Sequence, residues 1–310
     1  MPKISINLCC YNGQNYLREA LDSVIAQTYK DWDLVFIDDG STDSTGQIIQ
    51  EYIDLGFPIA CRHQENKGLG YSRNKALELS TGEYIAFIDH DDVWLPEKLE
   101  QQMELFRKDR ELALVYSDCF NVYPGNRKIP VSKYFRLYRG RVFERLLATN
   151  FIVMSTVIAR KDVIEEFGGF PNYKICEEYD LFLKIAHKYP INYVPEPLAL
   201  YLYHEDNSSR NLEITLEEAK GILRYWSVIG NDQVKEMCRR KMGRTYYGLS
   251  RRALFHVHDR AKAKALIRES LRYQRRFVYV SFAFLCAVPL KVTLWLRQRL
   301  LDVKARRSGF

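Results

Sequence analysis

Short apolar stretches alternate with amphipathic ones four times over in the first hundred or so residues. That alternation predicts a parallel sheet, joined by right-handed helical crossovers, with its loops gathered on one edge. Ile4, Ile6 and Leu8 alternate into a first strand, and Tyr11-Asn12-Gly13 turns the chain into a helix with Leu17, Leu21, Val24 and Ile25 on one face. Residues 33–38 read as a second strand. Residues 41–44 follow as N-cap candidates, with Ser44 and Gln47 at capping-box spacing ahead of Ile48, Ile49 and Tyr52. A third strand near residues 59–63 precedes Asn66-Lys67-Gly68 and a helix containing Ser72-Arg73-Asn74. The fourth, residues 84–88, is apolar and partly β-branched, the composition of a strand buried on both faces.

That fourth strand ends in Asp89-His90-Asp91-Asp92. Open α/β sheets bind ligands at the carboxyl ends of their strands, and alternation puts Asp89 and Asp91 on one face with His90 pointing away. Two hard oxygen donors suit Mg²⁺ or Mn²⁺, which completes its shell with water and phosphate oxygens, so a diphosphate is the expected partner. Asp92 has a second reading, as a cap for the helix that Pro96-Glu97 opens. Tyr11 can stack on a base, Asp39 can accept from a base N–H, and Arg73 can pair with phosphate. Asp39 also reads as a turn residue and Arg73 as an exposed helix charge. No Gly-x-Gly-x-x-Gly or Gly-rich Lys-Ser/Thr loop follows the first strand, which counts against a dinucleotide enzyme or a phosphate-loop ATPase.

Farther on, residues 114–117 read as a fifth strand, residues 123–138 as a basic, aromatic mobile loop near an acceptor, and residues 151–158 as strand again. A helix from about residue 159 stops at Gly168-Gly169-Phe170-Pro171. Acids in Cys176-Glu177-Glu178-Tyr179-Asp180 open the next helix, where they meet its dipole favourably.

Residues 3–205 resemble a family 2 glycosyltransferase with the A-type nucleotide-sugar fold. The resemblance rests on a series in order and spacing: the opening strand with Tyr11-Asn12, Ala26-Gln27-Thr28-Tyr29, Asp38-Asp39-Gly40-Ser41-Thr42-Asp43, Asn66-x-Gly68, Ser72-Arg73-Asn74, and residues 82–92. It implies an α/β fold with a mostly parallel sheet flanked by helices. It further implies that Cys9, Tyr11, Asn12, Asp39, Asn66, Gly68, Arg73 and Asp89 surround the nucleotide sugar. By the same resemblance Asp91 and Asp89, with His204 from Tyr201-Leu202-Tyr203-His204, approach the metal, and Gly169 and Phe170 border the acceptor. Glu178 stands where the family usually has its catalytic Asp, and Asp180 is its rival as the base that deprotonates the acceptor. Cys9-Cys10 and Leu202 depart from the family pattern.

The implied activity is inverting transfer from a nucleotide-diphosphate sugar, UDP-sugar favoured, to a hydroxyl of a glycan or lipid-linked acceptor. A noncatalytic nucleotide- or membrane-binding scaffold and a nucleotidyltransferase are the rival readings. The seven scattered cysteines, with no Cys-x-x-Cys pair, suit a reducing compartment, and no secretory signal is visible, so the expected setting is cytoplasmic. The net charge of +7 conceals an asymmetry: residues 233–310 carry 20 Lys and Arg against 4 Asp and Glu. That basic rear points to the inner face of a membrane in preference to nucleic acid. The expected domains are a catalytic one over residues 1–211, a helical extension resembling one tetratricopeptide hairpin over 212–275, and a membrane-associated apolar and basic segment over 276–310, read as an interfacial helix because it is short for a span.

Overall fold

Strand β1 (Ile4–Cys10) is buried along its whole length. It pairs in parallel with β2 (Trp32–Asp38) on one side and β4 (Tyr84–Asp89) on the other, and β2 pairs in parallel with β3 (Ile59–His63). Helices α1 (Leu17–Ile25), α2 (Thr45–Asp54) and α3 (Leu69–Leu79) carry the chain between these strands. Period-two alternation sends Ile4, Ile6 and Leu8 to the face covered by α1 and α2, and sends Cys9, Val35 and Ile37 to the face where α3 contributes Ala76. The computed structural model describes residues 3–204, 211–255, 257–274 and 276–287, and the chain divides into two units, residues 1–210 and 211–310.

Beyond β4 the sheet continues through β8 (Ile158–Arg160), β6 (Leu114–Tyr123), β9 (Ile191–Leu202) and the two-residue β5 (Val93–Trp94), with β7 (Arg127–Pro130) paired to β6. The long β6–β9 ladder is parallel, and short β8 runs antiparallel to both its neighbours, so the sheet is mostly parallel and flanked by helices. The remaining helices of this unit are α4 (Lys98–Lys108), α5 (Phe143–Ala148), α6 (Lys161–Glu166) and α7 (Glu177–Lys188). Buried Gln27 ties α1 to α4: its side-chain amide donates to the Leu95 carbonyl, and its oxygen accepts from Leu99 N. An orphan donor at the start of α4 is thereby satisfied from a distant loop.

Four local expectations change. The strand at residues 114–117 is the sixth, because Val93 and Trp94 pair with β9, and it runs on to Tyr123. Residues 123–138 are not simply a loop: β6 and β7 form a hairpin turned by Gly125 (φ +80°) and Asn126 (φ +59°), followed by a 3-10 turn at Val131–Lys133. In residues 151–158 a 3-10 turn, Met154–Thr156, replaces most of the expected strand, because Ser155 and Thr156 spend their hydroxyls on nearby acceptors. Ser44 makes no side-chain cap; Asp43 instead accepts from the Thr45 amide and hydroxyl.

The second unit holds α8 (Leu212–Ile229), α9 (Asp232–Phe255), α10 (Arg260–Tyr273) and α11 (Phe277–Ala287). His258 (φ +59°) turns the chain after α9, and Asp259 caps α10 by accepting from Lys262 N. Helix α11 buries Tyr279, Phe282 and Cys286 among Ala253, Leu254, Ala263 and Ile267, and leaves Phe284 exposed. Among the described residues no helix is long and apolar enough to cross a membrane. The rest of the apolar and basic segment, residues 288–310, and Asn207-Ser208-Ser209 lie outside the described residues.

Candidate active site

The loops after β1, β2 and β4 meet the start of α3 and of α7 at one edge of the sheet. Asp39 follows β2 and is almost fully buried. Its Oδ1 accepts from Gln64 Nε2 (2.8 Å) and Lys67 N (2.9 Å), and its Oδ2 accepts from Gly68 N (2.9 Å). A carboxylate offers about four acceptor positions, so one remains for a ligand N–H. Asp39 is therefore a turn-builder whose remaining capacity suits a base. Gly40 (φ +84°) lies so close to this loop that a Cβ there would sit 2.8 Å from Asn66 N. Tyr11 is half exposed nearby in sequence, and Asn12 adopts φ +53° while its Oδ1 accepts from Thr42 N. Cys9 packs with Val35, Ile37 and Ala76 on the face toward α3, and burial pushes its thiol up to about 12. It is a wall behind the site.

Arg73 departs most from expectation. It is 4% exposed and so not a surface charge: its guanidinium bonds Asp89 Oδ1 (2.8 Å) with one nitrogen and Glu177 Oε1 with another. Burial opposes its charge, but Asp89, Glu177 and Glu178 together hold its pKa above the usual arginine range. Neighbouring Asn74 brackets Phe170: Asn74 Nδ2 donates to the Phe170 carbonyl and Phe170 N donates to Asn74 Oδ1, both at 2.8 Å. Gly169 (φ +75°) permits that bracket, since a Cβ there would come within 2.4 Å of Asn74 Oδ1. The Phe170 ring is buried, edge-on to Phe87 at 5.5 Å and 5.7 Å from the Arg73 guanidinium. Phe170 thus packs against Arg73 and Gly169 against Asn74; neither is among the residues that line the cleft.

That cleft, about 430 Å³, is lined by Arg73, Asp89, Glu177 and Glu178 together with Phe135 and Tyr203 among its aromatics. Glu178 is partly buried, and its carboxyl is pushed up to about 8 by burial first and by Glu177 second, against the pull of Arg73. Asp180 is buried and pairs with Lys184 one helical turn on (2.7 Å), and it does not line the cleft. Glu177, fully buried against Arg73, is the functional-looking residue that the sequence reading passed over as a helix-dipole acid. An Arg in the third helix and a doubled acid a hundred residues later were the signal available.

At the end of β4, Asp91 Oδ2 lies 2.8 Å from His204 Nε2, and the imidazole stacks on Tyr16 at 4.7 Å. The carboxylate and ring thus converge, while Asp89 is engaged by Arg73. No group of three or more His, Cys, Asp or Glu able to hold a metal occurs among the described residues. The donor pair still fits a hard divalent cation that draws its other ligands from diphosphate and water. Asp92 is no helix cap. It is buried, accepts from Ser155 Oγ and Leu202 N, and its carboxyl is held well above the usual range by burial, then by Asp91 and Asp89. It thereby fastens β9 just ahead of His204. His90 packs against Gly13, where a Cβ would come 2.7 Å from the imidazole and 2.3 Å from Cys10 Sγ.

A mostly parallel α/β sheet with acidic loops at the carboxyl ends of its strands is an open fold of the kind that binds ligands at those ends. The family model described as "Glycosyl transferase family 2" matches residues 5–168, and the chain belongs to that family. Among curated relatives, a Rickettsia felis protein named an uncharacterized glycosyltransferase is 27% identical over 85% of this chain and 44% of its own. The Bacillus subtilis putative teichuronic acid biosynthesis glycosyltransferase TuaG is 29% identical over 60% of this chain and 73% of its own. The chain thus spans less than half the length of some curated relatives that it matches. Among solved structures, S. aureus TarS 1–349 in complex with UDP-GlcNAc superposes with a TM-score of 0.66 at 18% identity, over 99% of this chain and 92% of its own. The Pyrobaculum calidifontis mannosyltransferase PcManGT, in complex with GDP-Man and Mn²⁺, gives 0.63 at 16% over 96% and 86%. At these identities the two share the fold.

Proposed function

We propose that the chain transfers a sugar from a nucleoside-diphosphate sugar, UDP-sugar favoured, to a hydroxyl of a glycan or lipid-linked acceptor, with inversion, in cell-surface polysaccharide synthesis. Family membership, the name of TuaG and the UDP-GlcNAc complex of TarS support the donor and the pathway class. The observation that carries the reading is the placement of the Glu178 carboxyl in the same cleft as Asp89 and Arg73, where burial raises its pKa. Glu178 takes the acceptor proton as the acceptor oxygen bonds to the anomeric carbon. The bond from that carbon to the diphosphate breaks, and its electron pair leaves with the diphosphate. Asp180 is bound to Lys184 one turn along α7 and does not line the cleft. Arg73 fixes the positions of Asp89 and Glu177. Asp91 and His204 would hold Mg²⁺ or Mn²⁺, a partner supported by the Mn²⁺ complex of PcManGT. That ion, when bound, supplies Lewis-acid stabilisation of charge on the leaving diphosphate. Free cysteines and the basic rear support a setting at the cytoplasmic face of a membrane.

The test is sugar transfer from labelled UDP-sugars to a panel of glycan acceptors. Glu178→Gln should lower kcat by roughly 10²–10⁴-fold while UDP binding measured by calorimetry persists. Full transfer activity in Glu178→Gln would remove Glu178 from the role.

A further inference from the structure

Beside the cleft lies a second groove of about 540 Å³, whose lining includes Lys133, Tyr134, Phe135, Arg136, Tyr193 and Pro195. Phe135 lines both hollows, so one aromatic ring borders each of them. The segment that builds it is pinned at both ends: Val131 and Leu137 are buried, and Ser132 N donates to Asp118 Oδ1 at 3.1 Å. Between those anchors residues 132–136 are all exposed, Tyr134 at 52% and Phe135 at 41%. On the cleft side Tyr203, 38% exposed, stacks on Tyr123 at 4.8 Å and meets Tyr201 edge-on at 5.2 Å, which holds its ring in place. The lining residues of the second groove include two cations and no acid, and the Arg136 guanidinium rests 5.5 Å from the Tyr138 ring.

Exposed aromatic rings lose little entropy on binding and offer a flat apolar surface, and the cations beside them offer charge. A pyranose ring is complementary to such a surface, with one face of C–H groups and a rim of hydroxyls. We propose that this groove is an acceptor subsite for the sugar units behind the accepting one, and that those units are anionic. The acceptor is then an acidic oligosaccharide, its charge carried by uronate or by phosphodiester, and not a lone sugar or a neutral chain. The inference rests on the glycosyl-transfer reading and names its substrate class.

Calorimetric titration of the full chain with tetragalacturonate, a glycerol-phosphate tetramer and cellotetraose tests it. At least one anionic tetramer should bind more tightly than cellotetraose, and the one that binds identifies the source of the charge. Lys133→Ala with Arg136→Ala should weaken that binding roughly tenfold, and Phe135→Ala should weaken it too. Unfolding midpoints check that these surface variants are folded. Failure of both anionic tetramers to bind, cellotetraose binding as tightly, or an unchanged affinity in the double variant would each overturn the proposal. UDP titrated into the wild-type chain separates the two readings, since its failure to bind would count against glycosyl transfer and not against the groove.

Discussion

Replacing Glu177 with glutamine removes one charge and almost no volume from a buried ionic cluster. Glu177 is fully buried and Arg73 is 4% exposed, so their attraction is weakly screened. Opposite charges about 4 Å apart at an effective dielectric of about 20 attract by about 4 kcal/mol. Two effects return part of that loss. Asp89 stays 2.8 Å from the guanidinium, with about a third of its side chain open to solvent, and the glutamine no longer needs a charge stripped of water. A net cost of about 2–3 kcal/mol remains. With a urea slope of about 2 kcal/mol per molar, the unfolding midpoint should fall by about 1–1.5 M. Urea titration followed by circular dichroism measures this, and Glu178→Gln, one residue away, is the control. That neighbour bears a carboxyl already pushed toward neutrality, so its replacement should leave the midpoint unchanged or raise it. If Glu177→Gln unfolds with the wild type, or if Glu178→Gln is the more damaging, Arg73 is not held as described and the reasoning fails.

Three further outcomes follow from the geometry. Because the Glu178 carboxyl is pushed up to about 8, kcat/KM should rise with pH and reach half its plateau near 8. A raised folded-state value also means that its contribution to stability is complete below the ordinary glutamate pKa and is lost as pH climbs through 8, a decline that Glu178→Gln should flatten in pH-dependent unfolding. Lys98 is fully buried over the Trp94 ring at 4.2 Å, and burial holds its amine well below the usual lysine value. Its charge costs stability as pH falls through that lowered value, so Lys98→Met should raise stability by about 1–4 kcal/mol at neutral pH or below, with the gain shrinking in strong alkali. An unchanged midpoint at neutral pH would contradict this. Gly169→Ala places a Cβ against Asn74 in a left-handed backbone and should cost about 1–3 kcal/mol. In the same variant the Asn74–Phe170 bracket should loosen, visible as faster amide exchange at Phe170.

Most of the parallel half of the fold was legible because β1, β2 and β4 are short apolar runs ended by a turn signal and α1 and α2 each show one apolar face; β3, with Arg62 and His63 exposed, and α3, which buries Arg73, carry a weaker signal. The mixed half was less so. Ile158–Arg160 is only three residues long, and the 3-10 turn ahead of it depends on Asp92, more than sixty residues away, accepting from Ser155. Two residues suffice for β5, below what any periodicity reveals. In the site, the sequence singled out Asp89, Asp91, Arg73, Glu178 and His204 but could not show that Arg73 is buried, since a helix residue's burial depends on what packs over it. Here that cover is α7 and the turn at Gly169, both about a hundred residues downstream.

These placements give the recurring short motifs a common physical meaning. In Ser72-Arg73-Asn74 each side chain is spoken for by the protein: Ser72 accepts from Gln64, Arg73 holds Asp89 and Glu177, and Asn74 brackets Phe170. Asp39 likewise spends three acceptor positions on the loop between β3 and α3, and Asp92 fastens the strand that delivers His204. The residues proposed to face a ligand, Glu178, Asp91 and one position of Asp39, sit among these braces. Mutations in the braces should therefore act first on stability and on the placement of their neighbours. Asn74→Ala illustrates the distinction: it removes both bonds to the Phe170 backbone, so the unfolding midpoint should fall along with transfer. Asp91→Ala, by contrast, should abolish metal-dependent transfer and leave the midpoint nearly unchanged. Were the two variants to behave alike in both assays, the division between bracing and ligand-facing residues would be wrong.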